Sequence, residues 1–504
     1  MKRILVWAML LESFAFCGDF TLTDDWHLNE LLEELELRGA VPMLRGYSPY
    51  YASDLLSVMQ STGDGFWTDR TKRLLTPFGL ENQGFVLWTP GVWGYHNSEK
   101  EDFRNFGRMR FGIGGSYQNW SVCGIYRLDS GYYEDPDYYG IRWERIAGKA
   151  DQVFLRWSGG DFFVQIGRDY FRTGLGMALS GEKPFERITA GFKLGERLRL
   201  IWFIGQLDEY VRYIVDSLGN VEYDEYGMSK KEIYNRYLAG HRASLSWRHF
   251  QAGFTELMLY GGVGRKIEFY YMLPLYAFHG EQLNHRWNDN TLWSLDVKLL
   301  FPPFRFRAEG ILDDFQIEHE VPGDREPPLY GFAAQIDLAA MSRPIFLTLS
   351  SRYEQVQNRV FNQNLPWNRY LYENKPIGAE YGNDYDQVSV NCRAFGKFFG
   401  GDLSLYHRRK GEGRIDDPWL EPWLDDPNWS EPFPSGVIEK ASGVNWYLWA
   451  DGLNWELFSL SGQFSAGLGG VWESRVNADH ISGEKEDFWE VRAEFEMRMW
   501  NIIF

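Results

Sequence analysis

The sequence has no long hydrophobic run. Beyond the N-terminal segment, no stretch of about 18 consecutive apolar residues occurs, and the mean hydropathy is −0.40. Because a transmembrane helix needs about 20 such residues, these features exclude a helical membrane protein. Common catalytic motifs are missing too, including Gly-x-Ser-x-Gly, the phosphate-binding glycine loop and His-Glu-x-x-His. We therefore expect a protein that is not an enzyme.

Basic residues are outnumbered by acidic ones. The chain has 52 Lys and Arg against 70 Asp and Glu, which gives a formal net charge of −18. The phosphates of a nucleic acid would repel such a chain, so a nucleic-acid partner is disfavoured. The excess of acid fits a surface-exposed protein with acidic loops.

Cysteine is scarce, with three residues in 504. A basic start, an apolar segment over 4–16 and a small-x-small site predict a signal peptide over 1–17, cleaved after Cys17. Cys123 and Cys392 then remain. A disulfide is permitted in an oxidising compartment, but both lie in strand-like segments, and we expect two unpaired, small, buried side chains. Two cysteines provide no zinc framework, and we expect neither a metal nor a cofactor.

Aromatic residues, by contrast, are abundant. They make up 17% of the chain, with 22 Trp and 29 Tyr. Membrane β-barrels use such residues as girdles at both bilayer interfaces, and sugar-binding loops use them as stacking platforms. A large, aromatic-rich soluble β protein is the alternative.

From about residue 83 to the C-terminus, segments of some ten residues alternate in polarity. Such alternation with charges on one face indicates half-buried strands. Only helices or closed barrels satisfy every backbone hydrogen bond inside a bilayer, and a barrel strand crosses with about 9–11 residues. The clearest segments are 242–248, 293–299, 304–313 and 490–498.

Short turns and long polar connections alternate between these segments. The short turns are predicted near 118–119, 159–160, 195–196, 249–250, 302–303, 342–343, 399–400 and 452–453. The long connections are predicted near 92–105, 130–147, 170–187, 209–237, 261–290, 314–330, 354–385, 411–441 and 474–486. Bacterial barrels have short periplasmic turns, longer outer loops and an even strand number. The pattern predicts an all-β transmembrane barrel of about 18 antiparallel strands, with extracellular long loops and both termini in the periplasm.

The segment before the barrel has a different pattern. Leucines at helical spacing predict a helix from Trp26 to Arg38, with Gly39 ending it. Two shorter helices are predicted, one capped by Ser53 and one by Thr68. We expect a periplasmic helical module over 18–80, too small for a strong core, which packs against the mouth of a barrel over 81–504.

Several segments carry a family resemblance. They are LLEELELRGAVP (31–42), VQIGRDYFRTGLG (164–176), ILDDFQI (311–317), RYEQVQNRVF (352–361), WNRY (367–370), residues 376–382 and HRRKGEG (407–413). With them the chain resembles the capsule-assembly outer-membrane proteins called Wzi, over nearly the whole mature length. The aromatic C-terminal residue, Phe504, resembles the signal that the outer-membrane assembly machinery reads.

The resemblance implies a surface lectin that binds or organises capsular or other extracellular polysaccharide. The expected partners are that polysaccharide, outer-membrane lipids and lipopolysaccharide, and the assembly machinery. The alternative function is a porin-like channel for a small solute. Lumen positions of both charge signs, such as Arg242, Asp296 and Arg305, are expected to pair and obstruct the bore.

Two loops carry candidate sugar-binding residues, because amides, carboxylates and indoles suit sugar hydroxyls and ring faces. An ordinary self-packed loop is the alternative for each. The candidates are Asn284, His285, Trp287, Asn288 and Asp289 in the first loop, and Trp367, Asn368, Arg369, Tyr370 and Tyr372 in the second.

Charged residues at strand ends form a second set of candidates. Asp313 and Asp314 could serve as acid and base, but pairing with lumen arginines or capping a turn is favoured. The basic candidates Arg168, Arg172, Arg408 and Arg409 could bind acidic polysaccharide or lipopolysaccharide phosphates, with pairing to acidic loops as the alternative.

The connection over 411–441 is the most acidic part of the chain. Its aspartates lie beside three tryptophans, and oxygen-rich sites can bind calcium. The glycine spacing of a dedicated calcium loop is missing, so a solvated acidic surface is favoured.

Overall fold

The computed structural model describes residues 26–48, 50, 84–99, 102–136, 138, 140, 142, 147–274, 276–285, 288–314, 327, 329–341, 344–426, 429–457 and 460–502. The first nine barrel strands are β1 (Gly84–Asn97), β2 (Arg104–Tyr117), β3 (Trp120–Asp129), β4 (Ala147–Gly159), β5 (Phe162–Asp169), β6 (Phe185–Leu194), β7 (Leu198–Gln206), β8 (Lys231–Trp247) and β9 (Phe250–Val263). The other nine are β10 (Asn290–Phe301), β11 (Phe304–Asp314), β12 (Leu329–Met341), β13 (Phe346–Val356), β14 (Tyr385–Phe395), β15 (Phe399–Lys410), β16 (Glu439–Leu457), β17 (Leu460–Val476) and β18 (Lys485–Ile502).

These strands close into a barrel. Each pairs antiparallel with its neighbours in the sequence, and β1 pairs with β18 from Phe85–Ile502 to Asn97–Glu490. A short strand, Tyr210–Tyr213, extends the sheet beside the start of β8. Closure removes the unpaired edge that an open sheet would leave. The predicted fold class and strand number are confirmed.

Few helices occur in the described part of the chain. They are α1 (Trp26–Leu37), α2 (Phe278–His285) and α3 (Pro422–Asp425), with single 3-10 turns at Ser130–Tyr133, Phe269–Met272, Pro366–Asn368 and Ala478–His480. Among the described residues, no helix is long and apolar enough to span a membrane. The predicted first helix is confirmed to within a residue, and Gly39 follows it with a φ of +70°, a conformation that glycine adopts without strain.

Alternation along each strand separates a charged lumen from an apolar exterior. On β10, for example, Leu295 is exposed on the outside while Asp296 is buried in the lumen. Outward apolar side chains recur around the barrel, at Ile113, Phe254, Ile336, Val390, Leu448 and Phe495. This belt is the surface that a barrel presents to lipid. Cys123 and Cys392, the cysteines within the described ranges, form no disulfide; Cys123 is buried as expected, whereas Cys392 is only partly buried.

The alternation of short and long connections is confirmed, with two wrong turn positions. Residues 452–453 do not form a turn, because β16 continues to Leu457 and shifts its register between Ala450 and Leu453. The turn after Phe395 spans 396–398 and so precedes the predicted position. The signal peptide, the helices expected from Ser53 and Thr68, and Phe504 lie outside the described residues and stay predictions, as does the division at 80 and 81.

Candidate functional site

The short-turn end of the lumen is filled by α1. Its leucines Leu31, Leu32 and Leu35 pack against Phe346, at the start of β13, and Trp449, within β16. The helix spacing that predicted α1 therefore produces one apolar face, as amphipathic helices do. The expected packing against the barrel mouth takes place inside the barrel.

The acidic side of α1 is held by lumen cations. Glu36 accepts bonds from Lys298 Nζ at 2.6 Å and from Arg305 at 3.0 Å, and Glu33 pairs with Arg307 at 3.0 Å. Arg305 also bonds Asp337 at 2.8 Å. The expectation that lumen charges of opposite sign pair is confirmed, since Arg242 on β8 also pairs with Asp296 on β10 at 2.5 Å.

After α1 the chain runs through the lumen toward the long-loop end, where it contacts a loop that folds inward. Tyr47–Ser48 forms a two-residue antiparallel ladder with Arg172–Thr173, which belongs to the connection over 170–184. That connection is anchored by the buried carboxylate of Glu309 on β11. Glu309 accepts backbone N–H bonds from Leu175 (2.6 Å), Met177 (3.1 Å) and Ala178 (3.2 Å) and the hydroxyl of Ser294 (2.9 Å). A buried carboxylate is tolerable only with such hydrogen bonds.

A second connection, 357–384, closes the long-loop end above the first. Tyr370 donates to the carbonyl of Ala178 at 2.9 Å and stacks on Phe361 with ring centroids 5.1 Å apart. The side chains of both connections join inward residues of β6–β14 in one apolar cluster. We call residues 170–184 and 357–384 the loop plug.

The two predicted sugar-binding loops meet at the rim of the barrel. Asn368 donates its amide to the carbonyl of Asn288, Asn290 donates to the carbonyl of Asn368 at 3.1 Å, and Asn288 donates to Asn364 at 3.3 Å. We call these four asparagines the amide junction. Asn288 and Asn364 are exposed, so the junction includes amides that face solvent. Sequence reasoning missed Asn290 and Asn364, although both lie within or beside the predicted loops.

Beside the junction lies an aromatic stack. Trp367 stacks on Tyr234, with centroids 4.2 Å apart, and lies 6.3 Å from Tyr210. Its carbonyl accepts a bond from Arg236 at 2.8 Å. The stack fixes the Trp367 indole at the rim while leaving it partly exposed.

The other loop candidates differ in accessibility. Asn284 and His285 are exposed, whereas Asp289 is buried and pairs with Arg265. Trp287 lies outside the described residues.

Residues 369–372 mostly hold the plug together. Tyr370 and Tyr372 are buried, and Arg369 donates to the carbonyls of Asp416 and Asp417 at 2.7 Å each. Burial raises the pKa of the Tyr370 hydroxyl well above its usual value, which keeps it a hydrogen-bond donor.

The strand-end charges have partners within the protein. Arg168 pairs with Glu186 at 2.7 Å, Arg408 with Glu473 at 3.3 Å, and Arg409 with Asp386. These contacts match the alternative in which they pair with acidic groups. Binding of an external anion by them stays a prediction.

The remaining strand-end candidates lie inside. Asp313 accepts the N–H of Phe361 at 2.5 Å and so helps to anchor the loop plug. The side chain of Asp314 lies outside the described residues. Arg172 projects into the lumen, where its guanidinium donates to the carbonyl of Leu175 at 3.2 Å.

The acidic connection folds around an arginine. Arg359 lies 5.0–5.7 Å from the ring centroids of Trp419, Trp423 and Trp429, and it pairs with Glu431 at 2.8 Å. The indole faces therefore already contact a cation. No group of three or more His, Cys, Asp or Glu side chains within the described part of the chain is arranged to hold a metal.

The lumen is not completely filled. A cavity of about 1040 Å³ lies between α1, the loop plug and the wall formed by β2, β3, β11–β14 and β16–β18. Its lining is rich in arginines and carboxylates, including Arg110 paired with Glu496 at 2.7 Å. Among the described residues, no carboxylate lies within ion-pair distance of Arg172.

The comparisons with known proteins identify the fold. No family model matches the chain, and no curated protein matches it. A solved structure does match: Wzi of Escherichia coli, described as an outer-membrane protein involved in group 1 capsule assembly and as a carbohydrate-binding β-barrel. The superposition covers 95% of this chain and 99% of Wzi, with a TM-score of 0.59 and 13% sequence identity. The chain has a Wzi-like fold.

Two further solved structures, both of Pseudomonas aeruginosa proteins, match less well. OccD3 superposes with a TM-score of 0.45 and 8% identity, over 84% of this chain and 92% of its own. OprD superposes with a TM-score of 0.43 and 10% identity, over 82% and 93%. Overlaps this weak add nothing about function, and the likeness to Wzi at 13% identity concerns the fold alone.

Proposed function

We propose that this protein is an outer-membrane barrel that binds surface polysaccharide at its long-loop end and does not catalyse a reaction. The amide junction carries this proposal, because it combines solvent-facing amides with the partly exposed indole of Trp367. Amides both donate and accept hydrogen bonds, as sugar hydroxyls require. Aromatic faces pack against the apolar faces of sugar rings. The long loops would then be extracellular and both termini periplasmic.

The closed ends of the lumen support a holding role. The loop plug occupies the long-loop end and α1 the short-turn end, so a polysaccharide chain could lie across the rim without entering the barrel. The carbohydrate binding described for Wzi, which has the same fold, agrees with this proposal. Lipids and lipopolysaccharide would surround the barrel, and the assembly machinery would insert it.

The test uses point substitutions that leave the plug intact. Detergent-solubilised protein is passed over immobilised, purified bacterial polysaccharides, both neutral and uronate-containing, and binding is measured by surface plasmon resonance. Asn288→Ala with Asn364→Ala should weaken binding about tenfold, which corresponds to about 1.4 kcal/mol. Asn119→Ala, an exposed asparagine in the turn between β2 and β3 at the other end, is the matched control. Equal binding by all three proteins would remove the amide junction from the site.

The cavity favours a second candidate, a channel for a small charged solute. Its volume of about 1040 Å³ and its arginine-rich lining could admit such a solute along one side of the lumen. Conductance in planar bilayers separates the two functions. Sustained open channels from the purified protein would support the channel, and a closed barrel that binds polysaccharide would refute it.

A further inference from the structure

The long connection between β9 and β10 folds over the outside of the barrel. Side chains alternate along β9, and Leu257 and Leu259 belong to the apolar cluster inside the lumen. Met258 and Tyr260 therefore face outward, yet both are 0% exposed. Something other than the barrel wall covers them. We call the described residues of 264–285 the outer flap.

The flap supplies the covering side chains. Tyr271 and Phe278 of the flap pack against the outward residues Ala239, Met258 and Tyr260 in one cluster. Partly buried Tyr270 and Met272 join from the flap, and Ile188 and Ile204 from the wall. A patch of outer wall that would otherwise contact solvent or lipid is thus buried under protein.

An outward-facing carboxylate anchors the flap. Glu256 accepts the N–H groups of Phe278 and His279, at 3.2 Å each, at the start of α2. It also bonds the indole of Trp293 at 3.1 Å and the ring of His241 at 3.0 Å. A carboxylate turned toward lipid without such partners would be expensive, so the flap makes the position tolerable.

A second set of hydrogen bonds and ion pairs joins the two ends of the flap to Asp289, the residue before β10. Arg265 pairs with both Asp289 and Glu268, and the Tyr271 hydroxyl donates to Asp289 at 2.9 Å. Gln282 donates to the carbonyl of Asp289 at 2.6 Å. The flap is therefore held to the wall at both ends and in the middle.

The flap lies within reach of the bilayer. A tilted strand crosses the hydrocarbon with about 9–11 residues, and β9 starts at the short-turn end with Phe250. Glu256 and Met258, which the flap covers, fall within one such crossing. Immediately below them, Phe254 and Leu295 are exposed on the outer wall. The flap thus extends the lipid-facing belt toward the long-loop end of the barrel.

The first half of the flap exposes large apolar side chains. Phe269 is 81% exposed, Leu273 50% and Ile267 42%, and Val263 at the end of β9 is also exposed. Since the opposite side of the flap packs on the wall, these side chains point away from the barrel axis.

We propose that the outer flap is a lipid-contact element, with Phe269 and Leu273 inserted among the acyl chains of the leaflet at the long-loop end. Continuity with the lipid-facing belt selects lipid as the occupant, because acyl chains already surround the wall directly beneath. Aromatic and aliphatic side chains at this level are what barrels use at the membrane interface. The proposal is independent of polysaccharide binding.

The experiment places a fluorescent probe on single cysteines. In a variant whose native cysteines are replaced by alanine, Phe269→Cys is labelled with an environment-sensitive dye and the protein is reconstituted in phosphatidylcholine vesicles. Leu295→Cys, on the outer wall, is the matched lipid control. Leu218→Cys, 84% exposed in the connection between β7 and β8, is the matched aqueous control. The difference in SDS gel migration between heated and unheated samples verifies that each variant is folded.

Quenching of the probe distinguishes the environments. We expect lipids with brominated acyl chains to quench the probe at 269 at least half as strongly as at 295, and aqueous iodide to quench it at least threefold less than at 218. Iodide quenching equal to that at 218 would overturn the proposal. Resistance to both quenchers would also overturn it, because the site would then be covered by protein, such as a second copy of the chain. Leu273→Cys repeats the test if Phe269→Cys misfolds.

Discussion

The two ends of the lumen are closed by different chemistry. At the short-turn end, α1 combines a leucine face with an acidic face that pairs with Lys298, Arg305 and Arg307. At the long-loop end, the loop plug is an apolar cluster with neutral backbone groups as hydrogen-bond partners: Glu309 accepts from backbone N–H groups and Arg236 donates to backbone carbonyls. Ionic contacts respond to pH and to the loss of one partner, whereas apolar packing mainly responds to lost volume. We therefore expect the α1 end to respond more strongly to pH and to the loss of a single charge.

The largest effect is expected from Glu36→Ala. This substitution removes the carboxylate partner of the buried Lys298, whereas Arg305 keeps Asp337 and Glu33. Breaking a buried pair on one side costs about 3–5 kcal/mol. α1 should become accessible to protease, and the melting temperature should fall. Thermal denaturation and limited proteolysis of the solubilised protein measure both effects. Glu99→Ala, at an exposed position, is the matched control, and equal behaviour of the two variants would contradict the ionic closure.

Glu309→Ala tests the loop plug, and it should lower the free energy of unfolding less than Glu36→Ala does. Three backbone N–H groups lose their acceptor, and each buried unsatisfied donor costs about 1–3 kcal/mol, although the plug can relax and admit water. We expect a net loss of about 2–3 kcal/mol in the free energy of unfolding. Glu309→Gln retains one acceptor oxygen and should lose about half as much. Denaturant unfolding followed by Trp fluorescence measures the difference, and two indistinguishable variants would argue against the anchoring role.

The charge on Glu33 makes the stability of α1 packing depend on pH. Burial raises the pKa of its carboxyl, but Arg307 and Arg305 more than offset burial, and the pKa falls from 4.5 to about 2. Because the folded-state pKa is lowered, the stabilisation is present above pH 4.5 and is lost as the pH falls from 4.5 toward 2. Protease protection of α1 should decrease over that range. In Glu33→Gln this component of the pH dependence should vanish, and an unchanged profile would show that another group is responsible.

Arg172→Gln should have the smallest effect. Arg172 donates to the carbonyl of Leu175, and a glutamine amide can partly replace this bond, so the free energy of unfolding should change by less than about 1 kcal/mol. Arg305→Gln is the matched comparison, since Arg305 pairs with three carboxylates. Equal melting temperatures for the two variants would mean that ion pairing does not distinguish the cations of the lumen.

Much of the fold could be predicted from local pattern. Residues 293–299 alternate because one face meets lipid and the other the lumen, and this contrast is present in the sequence itself. The helix over α1 was equally readable from its leucine spacing. The turn expected at 452–453 was wrong because a glycine next to polar residues can also mark a register shift within a strand.

The candidate site was less predictable. Asn288 and Trp367 were identified by residue type, but their contacts depend on two loops that are 80 residues apart in sequence and adjacent in space. Tyr370 has the same chemistry as an exposed sugar-binding tyrosine, yet it is buried in the plug. Local composition does not distinguish these outcomes, because burial depends on the direction in which a loop folds.

A closed barrel of about 18 strands with a charged lumen and an apolar exterior follows from the residue pattern, because every strand in a bilayer must satisfy its backbone hydrogen bonds while facing lipid on one side. The course of each long connection depends on contacts that form only in the folded protein. The connections over 170–184 and 357–384 fold into the lumen, and the one over 264–285 folds over the outer wall. All three are rich in aromatic or apolar residues, so composition does not separate them. The connection over 170–184 is anchored inside by Glu309, which lies 134 residues after Leu175, and the flap is anchored outside by Glu256 on the strand that precedes it.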